Sequence, residues 1–149
     1  MKHVFCIMMV LLMLVSILPV AGNAAEAVET VYFDDGSYMI IEVNYSLARE
    51  TWSVTGNKQY TYYDSDGVSR WKAVLNGTFN YTGSGATCTA SSVNVTIYNS
   101  SWYTISKSAS KSGNTATGSV TMGLKSAGVT VARIPVSLTL SCDANGNLS

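Results

Sequence analysis

The stretch from Trp71 to Tyr81 constrains the fold more than any other part of the chain. Trp71, Ala73, Leu75, Phe79 and Tyr81 are apolar, with Gly77 as the one gap between them. Lys72, Asn76, Thr78 and Asn80 are polar, and only Val74 breaks the alternation. Successive side chains leave a strand on opposite sides, so a period of two means a strand with one buried face. A helix would scatter the same apolar residues around its circumference. The chain is therefore expected to be built from antiparallel strands, each with one wet face.

Residues 1–24 are expected to be removed before folding. Lys2 and His3 give a short positive start, Val4 to Leu18 is apolar except for Ser16, and Pro19 breaks the run. Small residues follow at Ala21, Gly22, Ala24 and Ala25. This is the three-part pattern of a secretory signal peptide, and the apolar run is shorter than the ~20 residues of a bilayer span. Cleavage is expected after Ala24, with Ala27 as second choice. Residues 25–149 then form a single domain, exported to the extracellular space, with no stable membrane insertion.

Removing the leader takes away His3, the only histidine, and one of the nine Lys and Arg residues, leaving eight against nine Asp and Glu. A balance so close to neutral gives no electrostatic reason to bind nucleic acid or an acidic membrane. Ser and Thr make up more than a quarter of the mature chain, alongside nine Tyr and three Trp. Such side chains suit a half-solvated pleated surface.

Turn signals divide the chain into about eight or nine short strands. The Asp-Gly pairs at Asp35-Gly36 and Asp66-Gly67 predict hairpins joining Thr30–Phe33 to Tyr38–Tyr45 and Gln59–Tyr63 to the Trp71 strand. Glu26 to Glu29 reads as a frayed lead-in. Trp52 and Val54 suggest a short strand before a turn at Thr55-Gly56-Asn57. Ala86 to Tyr98 changes parity between Cys88 with Ala90 and Val93 with Val95, which predicts a bulge near Ser91-Ser92. Trp102–Ile105 reads as a strand trailing into polar Ser106–Ser112. Thr115–Lys125 alternates with Ala116, Val120, Met122 and Leu124 inward and Gly118 as a gap. A second parity change surrounds Ile134-Pro135, marking an edge, a bulge or a strand crossing. The expected fold is an all-β antiparallel β-sandwich, with a closed barrel as second choice.

Cys88 and Cys142 are the two cysteines of the mature chain, and both share parity with apolar neighbours. One core-facing disulfide is expected in an oxidising compartment. It would close a loop of about 55 residues, for which chain entropy gives roughly 4 kcal/mol.

Catalysis finds little support. Histidine, the commonest general base, is missing from the mature chain, and no Gly-x-Ser-x-Gly elbow is present. The acidic residues Asp34, Asp35, Asp64, Asp66 and Asp143 fall in turns. The loops starting at Asp64 and Asp143 resemble the opening of a calcium loop but lack its later glutamate, so turn chemistry is the simpler reading. No metal or cofactor is expected. Asn44, Asn76, Asn80, Asn94 and Asn99 each begin an Asn-x-Ser/Thr triplet, which matters only where secreted proteins are glycosylated.

The aromatic pairs Tyr62-Tyr63 and Trp102-Tyr103 are the candidate binding residues. Adjacent strand residues point to opposite faces, so each pair places a large ring on both sides of its sheet. An exposed ring stacks on a sugar or anchors a protein; a buried one is core. Arg70 and Lys72 are expected on the solvated side of their strand. The leading expectation is an exported non-catalytic sandwich that binds a glycan or a surface protein. A secreted effector acting on neighbouring cells is the alternative, and an exported enzyme comes third.

Three runs, Tyr32 to Tyr38, Tyr60 to Val68 and Cys142 to Asn147, resemble those of small secreted proteins of clostridial gut bacteria. The resemblance would span nearly the whole mature chain. It implies a secreted Gram-positive protein and carries no site residue across.

Overall fold

Eight antiparallel strands follow one another in a computed structural model that describes residues 27–48 and 52–149. They are β1 (Ala27–Tyr32), β2 (Tyr38–Ala48), β3 (Ser53–Tyr63), β4 (Ser69–Tyr81), β5 (Ala86–Ile97), β6 (Trp102–Ser112), β7 (Thr115–Ser126) and β8 (Val129–Ser141). Every strand pairs with its neighbour in sequence except β5 with β6, where the chain passes from one sheet to the other. The result is a five-stranded sheet, β1 to β5, and a three-stranded sheet, β6 to β8. The sheets pack as a β-sandwich and do not close into a barrel. The expected leader, residues 1–24, lies outside the described residues.

The alternation at Trp71 sets the core. Trp71, Ala73, Leu75 and Phe79 are fully buried on β4, the strand that meets all three strands of the second sheet. Opposite them lie Ala116, Val120 and Met122 on β7 and Leu138 and Leu140 on β8. Both expected gaps are filled by neighbours: the Phe79 ring covers Gly77, and Val93 and Leu75 cover Gly118. At one end of this core Tyr62 stacks on Trp71 with centroids 5.3 Å apart, and Trp102 closes over both.

Several boundaries differ from expectation, each for a local reason. Residues 27–29 are not a frayed lead-in, because Ala27, Val28 and Glu29 pair with Val43, Glu42 and Ile41. Thr55-Gly56-Asn57 does not turn; it runs on within β3, held between β2 and β4 on both sides. Ser106–Ser112 continues β6 as a polar edge strand paired to β7, so its lack of apolar alternation reflects an exposed position. The β5 bulge is at Thr89, where Thr78 pairs with Ala90 and Phe79 with Cys88. That extra residue turns Ala90 outward while Cys88 stays inward. In β8 the parity change comes from an extra residue at Val131, between the pairs Leu124–Ala132 and Lys125–Thr130. The strand does not cross between sheets, and Pro135 sits on its edge, where a missing N–H leaves no bond unmade.

Three tight loops share one hydrogen-bond pattern. The N–H of Phe33, Asp64 and Asp143 donates to the carbonyl four residues on, and the glycine N–H returns a bond to the first residue. Gly36, Gly67 and Gly146 supply the positive φ this closure needs, at 82°, 75° and 88°. Two loops join strands. The third, Asp143–Asn147, folds the C-terminus back so that Leu148 bridges Cys142 and is buried.

Candidate functional site

At the hairpin end of the five-stranded sheet, the outer face carries a row of tyrosines. Register makes the row: Tyr32 pairs with Tyr38, and Tyr38 pairs with Tyr63. The Tyr38 and Tyr63 rings stack with centroids 4.9 Å apart and planes 6° from parallel. Tyr32 leans on Tyr38 at 5.7 Å and is 74% exposed. Because Tyr38 covers one face of Tyr63, the opposite face of Tyr63 looks toward β4. Its partner there is Ser69, with Arg70 as the extra residue of a bulge, and beyond them lies exposed Tyr98, whose N–H donates to the Arg70 carbonyl at 2.9 Å. Tyr63 and Tyr98 are two strand spacings apart, roughly 10 Å.

The loop chemistry holds this row in place. Asp64 accepts the N–H groups of Asp66 and Val68 through Oδ1, and its Oδ2 accepts the Arg70 guanidinium. The bond to the Val68 N–H, followed by those to Arg70, holds the Asp64 carboxyl below the ordinary carboxylate value. Two rows inward, past the Ile40–Thr61 pair, the Gln59 amide donates to the Glu42 carboxylate. Burial, with Tyr38, Glu42 and Tyr98 close by, pushes the Tyr63 phenol above its usual value, so it stays protonated and able to donate. Lys72 lies on the same outer face between Thr61 and Thr96. The site thus combines aromatic faces with two planar polar pairs, Asp64–Arg70 and Glu42–Gln59.

The four aromatic residues singled out in the sequence separate cleanly. Tyr62 and Trp102 are buried against Trp71 and cannot meet a surface ligand. Tyr63 belongs to the row. Tyr103 lies on the outer face of the other sheet, flat over Gly123, with its hydroxyl bonded to Thr130 at 2.6 Å and Lys125 4.3 Å above the ring. These contacts lash it down as part of the sheet surface.

Tyr32, Tyr38 and Tyr98 were not singled out in the sequence. The Asp-Gly hairpin brings Tyr32 to Tyr38, a signal already present once the loop length was read. Joining Tyr38 to Tyr63 needs the β2–β3 register, which sequence alone did not supply. Trp52 is a further exposed aromatic at the opposite end of the sheet. Its φ is 49°, and it meets Tyr81 edge-on at 5.7 Å.

The turn reading of the acidic loops agrees with their hydrogen bonds. Asp143 Oδ1 accepts the N–H groups of Asn145 and Asn147 at 2.8 and 2.9 Å, and Oδ2 accepts the Asn147 amide at 2.7 Å. Both oxygens are engaged within the loop. Cys88 and Cys142 are buried, pointing into the core at the far end of the sandwich, and the expected bridge between them is not formed in this structure. Their N–H groups donate to the successive carbonyls of Gly113 and Asn114 in the β6–β7 turn. Burial pushes both thiols up; Asp143 and then Cys88 raise Cys142 further, while Lys111 draws Cys88 back down.

No known protein family, curated protein or solved structure matches the chain.

Proposed function

We propose that the protein is exported and binds a glycan on the tyrosine row, without catalysing a reaction. The single observation behind this reading is the in-register set Tyr32, Tyr38 and Tyr63, extended by Arg70 and Tyr98. A sugar ring presents C–H groups on its faces and hydroxyls around its rim. Aromatic faces match the first. The remaining planar donors and acceptors of Arg70, Glu42 and Gln59 match the second, while Asp64, its oxygens taken within the loop, holds Arg70 in place. The open face of Tyr63, looking toward Tyr98, is the stacking position.

The same reading places the protein outside the cell, in keeping with the leader pattern of residues 1–24. There Cys88 and Cys142 form a disulfide. Their burial, shared end of the sandwich and adjoining anchors on Gly113 and Asn114 support the pairing. The bridge would tie the five-stranded sheet to the start of the C-terminal loop.

A glycan array probed with the wild-type protein, Tyr63→Ala, Tyr62→Phe and Trp52→Ala tests the site. Wild-type, Tyr62→Phe and Trp52→Ala proteins should give the same hits. Tyr63→Ala should weaken them by about 2 kcal/mol, roughly thirtyfold. Loss in Trp52→Ala with retention in Tyr63→Ala would move the site to the other end of the sheet and overturn the assignment.

A further inference from the structure

Among the described residues four strand edges lie open at the sides of the two sheets, and three carry protection against pairing with another chain. The edge of β5 has its Cys88 N–H taken by the β6–β7 turn and a bulge at Thr89. The β6 edge carries Lys107 and Lys111 and a bulge at Ile105. The β8 edge carries Arg133, Pro135 and the bulge at Val131. Among the described residues β1 is the exception: it has no Pro, no Lys or Arg and no bulge. Its exposed apolar residues, Val28, Val31 and Tyr32, with Phe33 just beyond, cluster on that edge.

The hydrogen-bond phase of β1 is fixed by its hairpin. Phe33 N–H donates to Ser37 and Phe33 C=O accepts from Gly36, so odd-numbered residues turn toward β2. By alternation, the N–H and C=O groups of Val28, Thr30 and Tyr32 face the open edge. We infer that this edge pairs with the same edge of a second copy, antiparallel and centred on Thr30.

A two-fold axis normal to the sheet makes each residue face its mirror position about Thr30. Thr30 then meets Thr30 of the other copy, and Val28 meets Tyr32 twice. All three pairs present edge-facing groups on both sides, giving about six backbone hydrogen bonds at two per pair. The two most exposed apolar side chains of β1, Val28 at 57% and Tyr32 at 74%, cover one another. Glu29 falls opposite Val31, avoiding its own copy. Shifting the centre to Glu29 would set like charges face to face and lose one pair. With the leader removed, eight Lys and Arg stand against nine Asp and Glu, a balance near neutral that adds little general repulsion between copies. Pairing joins two five-stranded sheets into one of ten, with the sandwiches on the same side.

The test uses the full chain, expressed with its own leader and purified as exported. Sedimentation equilibrium should show a monomer–dimer equilibrium. Val28→Lys should weaken the dimer at least tenfold, and Thr30→Pro, which removes an edge-facing N–H, should abolish it. Hydrogen exchange followed by NMR gives the register. The Val28, Thr30 and Tyr32 amides should gain protection as concentration rises, while Glu29 and Val31 are protected throughout. A monomer at all concentrations, or a dimer in which those three amides stay unprotected, overturns the proposal. So does protection that is independent of concentration, which would mean that a segment of the same chain covers the edge.

Discussion

Tyr62 and Tyr63 are adjacent, chemically identical and opposite in role. Tyr62 packs between Trp71 and Trp102, so Tyr62→Ala should cost about 3–5 kcal/mol, as large aromatic deletions in cores do. Tyr63→Ala loses a cross-strand stack on the outer face and should cost about 1 kcal/mol. Urea denaturation of the two variants checks the difference. The alternation of the sequence told that one ring faces in and the other out. It did not tell which, because that depends on the register against Trp71, and register is set by the Asp64 loop and its neighbouring bulge. Trp102 and Tyr103 pose the same question, with the same answer: the first is core and the second lies over Gly123.

Among the elements, the hairpin loops were legible because their chemistry is local. Asp, Asn and Gly at fixed offsets specify the closure whatever surrounds it. Gly146→Ala should cost about 1–3 kcal/mol, since a left-handed φ of 88° is combined with a Cβ that would meet the Tyr81 ring at 2.7 Å. Gly36→Ala shares the φ but has only an ordinary contact with Ser65, so it should cost less. Thermal melts of both variants rank them. The same loops also set a pH dependence. Their own hydrogen bonds lower the folded-state pKa of Asp35, Asp64 and Asp143 below 3.8. Stability is therefore fully present above that value and should fall as pH drops below it, because the unfolded chain binds those protons first. Urea midpoints from neutral pH down to about pH 2 should decline chiefly below about pH 4, with a smaller decline in Asp143→Asn. Strands were less legible where packing is non-local. β6 has a polar sequence because it is an edge, and the β5 and β8 bulges sit a few residues from where parity alone placed them.

At the scale of the whole molecule, two sheets and eight strands follow from alternation and turn spacing, and the sandwich was foreseeable. The site was only partly so, because its row crosses three strands and an adjoining turn. The proposed Cys88–Cys142 bridge spans the two sheets, and oxidised protein should be more stable than reduced protein by roughly 4 kcal/mol. Non-reducing peptide mapping of exported protein should recover the linked peptides, and labelling of both thiols in the native protein would refute the bridge. Pairing through β1 would set two tyrosine rows on one continuous face, so a multivalent glycan would bind more tightly than its single unit. The most direct measurement of the central proposal is an NMR titration with an oligosaccharide returned by the array, observing selectively labelled tyrosine rings. The ring signals of Tyr32, Tyr38, Tyr63 and Tyr98 should shift together along one binding curve while Tyr62 and Tyr103 stay unmoved. Saturable binding that leaves Tyr63 and its neighbours unshifted would contradict the account.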